Sequence, residues 1–104
     1  MNQKQLMKMM AQAQKMQDGV MRVQDDLAEE RVEGTSADGL VRAVVTGQGE
    51  LVEISLSPEV VDPEDVEILE DLILVAVRNA VEESRKLSRQ RMEGLGLPGL
   101  GGLM

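Results

Sequence analysis

The sequence predicts an α+β fold with the order helix, three antiparallel strands, helix. Two long segments, 2–30 and 63–92, are rich in helix-forming residues and contain no proline in their interiors. Between them lie short runs rich in β-branched residues, separated by glycine-containing turns. We therefore expect an α-β-β-β-α protomer over residues 1–93. A Gly/Leu-rich tail over residues 94–104 is low in complexity, and we expect it to be disordered.

The first helix carries apolar residues spaced alternately three and four positions apart. This is the heptad spacing of a coiled coil. Six of the eight methionines lie before residue 22, and Gly19 is the one weak helix former in this segment. We call the following residues the heptad seam: Leu6, Met9, Ala13, Met16, Val20, Val23 and Leu27.

The middle of the chain predicts three strands, 31–36, 40–46 and 51–57. Asp38-Gly39 and Gly47-Gln48-Gly49 are typical of the tight turns that join antiparallel strands. The second and third strands alternate apolar and polar residues, which predicts a sheet with one apolar face. That face is predicted to carry Val41, Ala43, Val45, Val52, Ile54 and Leu56.

The second helix is predicted to begin at Asp62-Pro63 and to run to about Met92. Asp is a favoured N-cap, and proline suits the first helical position. Residues 72–77 are apolar at every position, which indicates a helix covered on more than one side. One cover is its own sheet, and we assign the other to a second subunit. The predicted interface residues are Leu72, Ile73, Val75, Ala76 and Val77.

The predicted helices are too long for a compact protein of this size. Each would extend roughly 40–45 Å at 1.5 Å per residue, whereas a compact domain of this length has a radius of gyration near ~13 Å. If the helices pack antiparallel, residues 1–22 and 78–93 should project from the same end. A projecting apolar seam needs a partner helix, so we expect a homodimer.

The composition excludes several classes of function. The chain has no His, Cys, Phe, Tyr or Trp, which excludes disulfides, thiolate metal sites, a histidine base and aromatic base stacking. The acids between 62 and 71 lack the spacing of a calcium-binding loop. We therefore expect no enzyme activity, no metal and no cofactor. No apolar run approaches the ~20 residues of a membrane span, and the sequence favours a cytoplasmic protein.

The net charge of −8 conceals an uneven distribution. Residues 1–22 sum to +3 and residues 78–104 to +2, so the middle of the chain is strongly acidic. Phosphate binding requires local Lys and Arg rather than a basic average. The alternative is that these cations occupy ordinary solvated helix positions, with pairs such as Glu82–Lys86 and Arg78–Glu82.

Three stretches together resemble the YbaB/EbfC family of bacterial nucleoid-associated proteins. They are LMKMMAQAQKMQDGVMRVQDDLA (6–28), VEGTSADGLVRAVVTGQGELVEISLSPEVV (32–61) and EDVEILEDLILVAVRNAV (64–81). The resemblance implies a tweezer-shaped homodimer that binds double-stranded DNA in the nucleoid and influences gene expression. It also implies that the projecting helices contact the DNA. The candidates in this chain are Lys4, Lys8, Lys15, Arg22, Arg78, Arg85, Lys86, Arg89 and Arg91.

A second function remains open from the residues alone. A Met-rich helical surface adapts to many partners, so the chain is also consistent with a non-catalytic clamp or scaffold that binds another protein. The two hypotheses differ in whether the chain has affinity for duplex DNA at physiological salt.

Overall fold

The computed structural model describes residues 2–96 and has the predicted element order. Two short 3-10 turns, Ala37–Gly39 and Pro58–Val60, connect the longer elements. Residues 97–104, most of the predicted tail, lie outside the described residues. The elements are α1 (Gln3–Glu29), β1 (Arg31–Ser36), β2 (Val41–Thr46), β3 (Leu51–Leu56) and α2 (Val66–Glu93).

The three strands form an antiparallel meander in the order β1-β2-β3. The central strand β2 places Val41, Ala43 and Val45 on one face, where all three are fully buried. They form the core together with Ala76 and Ala80 of α2. This confirms the predicted apolar face of β2, because alternate residues of a strand point to the same side.

The prediction that Val52 shares this face is wrong. The β2–β3 pairing shifts between Val44 and Val45, so that Val44 faces Glu53 while Val45 faces Leu51. Val52 is the extra residue, and it lines a hollow with Val44 on the face away from α2. A bulge inserts one residue into a strand and interrupts the alternation. Val52 is consequently 48% exposed.

The predicted start of α2 is also wrong by several residues. The helix begins at Val66, with Asp65 at the N-cap position. Asp62 instead closes a local turn, since its Oδ1 accepts a hydrogen bond from the Glu64 amide at 3.0 Å. Asp side chains form such turns readily, and here the turn competes with helix initiation.

Helix α2 lies across β1 and β2. Ser36 Oγ donates a hydrogen bond to the Leu72 carbonyl at 2.6 Å, and Asn79 Nδ2 donates to the Thr35 carbonyl at 2.9 Å. These bonds fix the helix along the β1 edge. At the other edge, Leu51 and Leu56 of β3 remain exposed.

Helix α1 is attached to the rest of the protein by its last turns. Leu27 is fully buried, and its carbonyl accepts a hydrogen bond from the Gly47 amide at 2.9 Å. Gln48 Nε2 donates to the Gln24 carbonyl at 3.0 Å. Every residue from 2 to 18 is exposed, and we call residues 3–18 the arm. The resulting molecule measures 74 × 24 × 17 Å.

The radius of gyration reflects this projecting arm. It is 20.0 Å, well above the ~13 Å of a compact domain of this length. The expectation that a long helix overshoots the small sheet is therefore confirmed for α1.

Candidate nucleic-acid interface

Four basic side chains share one side of α1. Since α1 is a continuous helix from Gln3 to Glu29, each residue turns about 100° from the last. Four cations consequently lie within about 40° of one another around the axis and extend along about 27 Å of it. We call this set the basic stripe. It consists of Lys4, Lys8, Lys15 and Arg22, all exposed.

The basic stripe is free to bind an external anion. Within residues 2–96, no carboxylate lies within 4.0 Å of the charged nitrogens of these four side chains. Contact with a run of phosphates requires a local row of cations that have no intramolecular partner. The basic stripe on this projecting helix meets both conditions.

The opposite side of the arm is apolar. Leu6 is 49% exposed, Met9 55% and Met16 45%, although all three belong to the heptad seam. The seam is half-buried at Val20 and Val23 and fully buried at Leu27. The protomer therefore covers only the end of the seam, and the arm presents cations on one side and apolar side chains on the other.

The basic residues of α2 do not lie at the tip of the arm. The end of α2 runs antiparallel to the last turns of α1, where Arg91 contacts Glu30 at 2.5 Å. A Cβ added to Gly19 would lie 3.3 Å from Leu95 Cδ2, so the chain just after α2 still reaches α1 at that point. The arm then continues about 24 Å beyond α2.

This arrangement differs from the expectation that both helix ends project together. The reason is that a long segment of α2 is taken up by packing on the sheet. The segment from Leu72 to Val81 packs on β1 and β2, and Ser84 is buried beside the β2–β3 turn. Only the last turns of α2 extend past the sheet. The cations of α2 consequently lie beside the last turns of α1 and on the body of the protein.

Three of the α2 cations are already paired. Arg85 lies 4.0 Å from Glu82, Lys86 lies 3.3 Å from Glu83, and Arg91 pairs with Glu30. The helix pairs are three residues apart rather than four as predicted. In the part of the chain that the structure describes, Arg78 and Arg89 have no such carboxylate partner. Exposed pairs of this kind are weak, but they still compete with phosphate for the same cations.

A groove of about 730 Å³ lies between α1, the β2–β3 turn and α2. Arg85 and Arg89 line it together with Gln24 and Gln48, which the sequence did not single out. The turn itself offers no free amide for an anion. Gly47 N–H donates to Leu27, while Gln48 N–H and Gly49 N–H both donate to Thr46. The interpretation of Gly47-Gln48-Gly49 as a turn is confirmed.

Arg42 serves the sheet rather than the candidate interface. Its guanidinium pairs with Glu33 on β1 and with Glu53 on β3, the latter at 3.2 Å. The hydrogen bond to Glu33 and the negative charges of Glu33 and Glu53 raise the pKa of Arg42. The charge of Arg42 is therefore neutralised by carboxylates on the same outer face of the sheet.

The predicted dimer residues fall into three groups by burial. Ala76 is fully buried within the protomer, so we leave it out of any interface. Leu72, Ile73 and Val77 are half-buried against the core. Val75 is 44% exposed, and its neighbour Leu74, which the prediction omitted, is 47% exposed. The continuous apolar run could have indicated Leu74, because every position in it is apolar.

Residues 2–96 contain neither a cluster suited to a metal ion nor a helix suited to a membrane span. The carboxylates form no group of three placed to hold a metal ion. Neither helix that the structure describes is apolar enough over a sufficient length to cross a membrane.

The chain has close relatives among known proteins. It is 47% identical over 102 residues to a nucleoid-associated protein of Chloroflexus aurantiacus, covering 96% of this chain and 99% of that one. A nucleoid-associated protein of Deinococcus radiodurans is 48% identical over 99 residues, with 95% and 99% coverage. One from Caldanaerobacter subterraneus is 45% identical over 96 residues, with 88% and 86% coverage.

A solved structure shares the fold. The crystal structure of an uncharacterized protein from Helicobacter pylori matches with a TM-score of 0.63 at 17% identity, covering 75% of this chain and 90% of that one. The model of the YbaB/EbfC DNA-binding family matches residues 1–100. Because that match spans nearly the whole chain, the protein belongs to the YbaB/EbfC DNA-binding family.

Proposed function

We propose that this protein binds double-stranded DNA as a homodimer in the cytoplasm, within the nucleoid, and that the basic stripe of each α1 helix contacts the phosphates. The observation that carries the proposal is the stripe itself, which places four exposed cations on one side of a projecting helix. The names of the relatives, which describe nucleoid-associated proteins, support the same location.

The contact is made through the DNA backbone. Sequence readout requires side chains positioned in a groove, whereas the stripe carries flexible Lys side chains and a single Arg. The chain also has no aromatic residue to stack on a base. Sequence preference is therefore weak, and the protein acts on DNA conformation and organisation, with an influence on gene expression as a consequence.

The acidic body confines the contact to the arms. Residues 51–77 contain eight acids and no base, and the phosphates of DNA repel that surface. The paired cations of α2 lie on this body and contribute less than the stripe. Binding is consequently moderate in affinity and steeply dependent on salt.

The homodimer is supported by apolar surface that the protomer leaves uncovered. Leu74 and Val75 of α2 are exposed, as are Leu51 and Leu56 of β3. A second copy that covers α2 leaves both arms projecting, so that they straddle one duplex. Changing Leu74 and Val75 to Lys should halve the mass in solution, as measured by light scattering. An unchanged dimer mass would place the interface elsewhere.

The decisive experiment is a titration of labelled duplex at several salt concentrations. Each phosphate contact changes the slope of log K against log[salt] by about −0.9. With four stripe cations on the α1 helix of each of two protomers, we expect a slope between about −4 and −7. An absence of binding at low salt would contradict the proposal.

The second candidate function is a clamp for a protein partner. It is favoured by the exposed Leu and Met side chains of the arm, since methionine adapts to varied apolar surfaces. This function predicts no DNA affinity at physiological salt and a bound helical segment that co-purifies with the protein. The same titration therefore separates the two functions.

A further inference from the structure

The arm has an apolar side that the dimer proposed above does not use. Leu6, Met9 and Met16 are each about half exposed, and they lie on the side of the arm away from the basic stripe. DNA bound to the stripe leaves this side open to water. Uncovered apolar side chains arranged along one helix generally mark an interaction surface.

The spacing of these residues identifies the shape of the occupant. Leu6 and Ala13 take the a positions of a heptad, and Met9 and Met16 take the d positions. Alternating steps of three and four keep the apolar side chains facing a second helix along the whole length. The surface therefore fits a helix rather than a flat sheet or a membrane.

The residues that flank the seam identify a helix of the same kind. The e and g positions of the arm are uncharged, whereas coiled coils between different chains use charges there to select a partner. The cations of the arm lie at the outer c and f positions instead. Two identical positive arms can therefore meet without bringing like charges close together. The flanking residues are Gln3, Gln5, Met10, Gln12 and Gln17.

We infer that the arm seam pairs with the arm of a second dimer. Its consequence, the bridging of two duplexes, rests on the proposed DNA binding. The c positions lie on the outer side of each paired helix, so Lys8 and Lys15 of the two arms face in opposite directions. A pair of arms thereby holds two duplex segments, one on each side, and the protein bridges DNA.

The pairing is weak in the free protein and promoted by DNA. The arm offers only two heptads, and a coiled coil this short is marginal in water. DNA places neighbouring dimers close together and raises the effective concentration of their arms. Bridging therefore requires bound DNA and increases cooperatively as the duplex fills.

The test compares two double variants that differ only in position. Met9→Gln with Met16→Gln removes two seam residues, whereas Met7→Gln with Met21→Gln changes exposed methionines outside the seam. The assay measures capture of a labelled duplex by an immobilised duplex. We expect the seam variant to lose at least about tenfold in capture, because each paired arm loses two apolar side chains from the buried seam. The control should match the wild type.

Binding to one short duplex should be the same in both variants, because neither changes the basic stripe. Equal capture by the seam variant and the wild type would overturn the inference while leaving DNA binding intact. Equal loss in the seam variant and its control would overturn it too, since position in the heptad would then not matter.

A cross-linking experiment tests the pairing without DNA. The chain has no cysteine, so Ala13→Cys introduces a single thiol at an a position and Ala11→Cys one at an outer f position. At high protein concentration, a short bismaleimide reagent should link chains through position 13 and not through position 11. This result would support the pairing even if DNA binding failed. Equal linking at both positions would overturn it, as would an absence of linking through position 13 when a long duplex is present to concentrate the arms.

Discussion

Gly34 of β1 lies against the backbone of Ala80 in α2. A Cβ added to Gly34 would lie 2.1 Å from the Ala80 amide nitrogen and 2.3 Å from the Ala76 carbonyl oxygen. No side chain fits in this space, so the strand and the helix meet backbone to backbone. The contact determines how closely α2 approaches the sheet and, through the end of α2, where α1 is held.

Gly34→Ala should therefore destabilise the protein severely. The methyl group meets helix backbone rather than a movable side chain, so α2 must shift, and we expect a loss of at least about 3 kcal/mol in the free energy of unfolding. Urea denaturation followed by circular dichroism measures it. Gly39→Ala is the control, because Gly39 has φ +88 but open space around it, and strain there costs about 1–2 kcal/mol. Equal losses would mean that α2 shifts easily.

Leu27→Ala should loosen the attachment of α1. Leu27 is fully buried beside Gly47, and removing a buried leucine costs about 2–5 kcal/mol. Leu6→Ala, at an exposed position of the same seam, should change stability by less than about 0.5 kcal/mol. Thermal unfolding of both variants provides the measurement. A comparable loss at Leu6 would show that the arm is covered in the isolated protein.

Removing the basic stripe should abolish most DNA binding. Changing Lys4, Lys8 and Lys15 to Gln removes three cations per arm, and we expect the magnitude of the salt slope to fall by about 3 for each arm that contacts DNA. Fluorescence anisotropy with labelled duplex measures both affinity and slope. The helical signal in circular dichroism should stay unchanged.

A matched control separates local contact from overall charge. Changing Gln3, Gln14 and Gln17 to Glu lowers the net charge of the arm by the same amount but leaves the stripe in place. This variant should bind DNA more weakly, because the added negative charge repels the phosphates from a distance. The slope of log K against log[salt] should stay the same. If the two variants lose affinity and slope equally, the stripe is not the contact surface.

Gly19→Ala should stabilise α1. Gly19 lies inside the helix and costs about 1 kcal/mol relative to Ala. The new methyl group would meet only the flexible end of Leu95 at 3.3 Å, which can move aside. We expect a gain of about 0.5–1 kcal/mol, seen as a higher unfolding midpoint. A loss of stability would indicate that Leu95 is held rigidly against α1.

Local information was sufficient for most of the architecture. The heptad seam, the helix-forming residues and the glycine turns each act over a few neighbouring positions, so the sequence alone determined the element order and the faces of α1 and β2. The basic stripe follows from the same cause, because a continuous helix places Lys4, Lys8 and Lys15 on one side whatever surrounds it.

The tertiary structure decided what depends on distant contacts. The bulge that turns Val52 outward arises from pairing with β2, and Ala76 lies in the core because β1 presents a glycine beneath it. The apolar run of α2 is equally apolar at Leu74 and Ala76, so its pattern does not distinguish the side that is buried. The sheet covers most of α2, so only α1 projects as an arm. The covered length depends on packing between segments far apart in the chain, which local sequence patterns do not show.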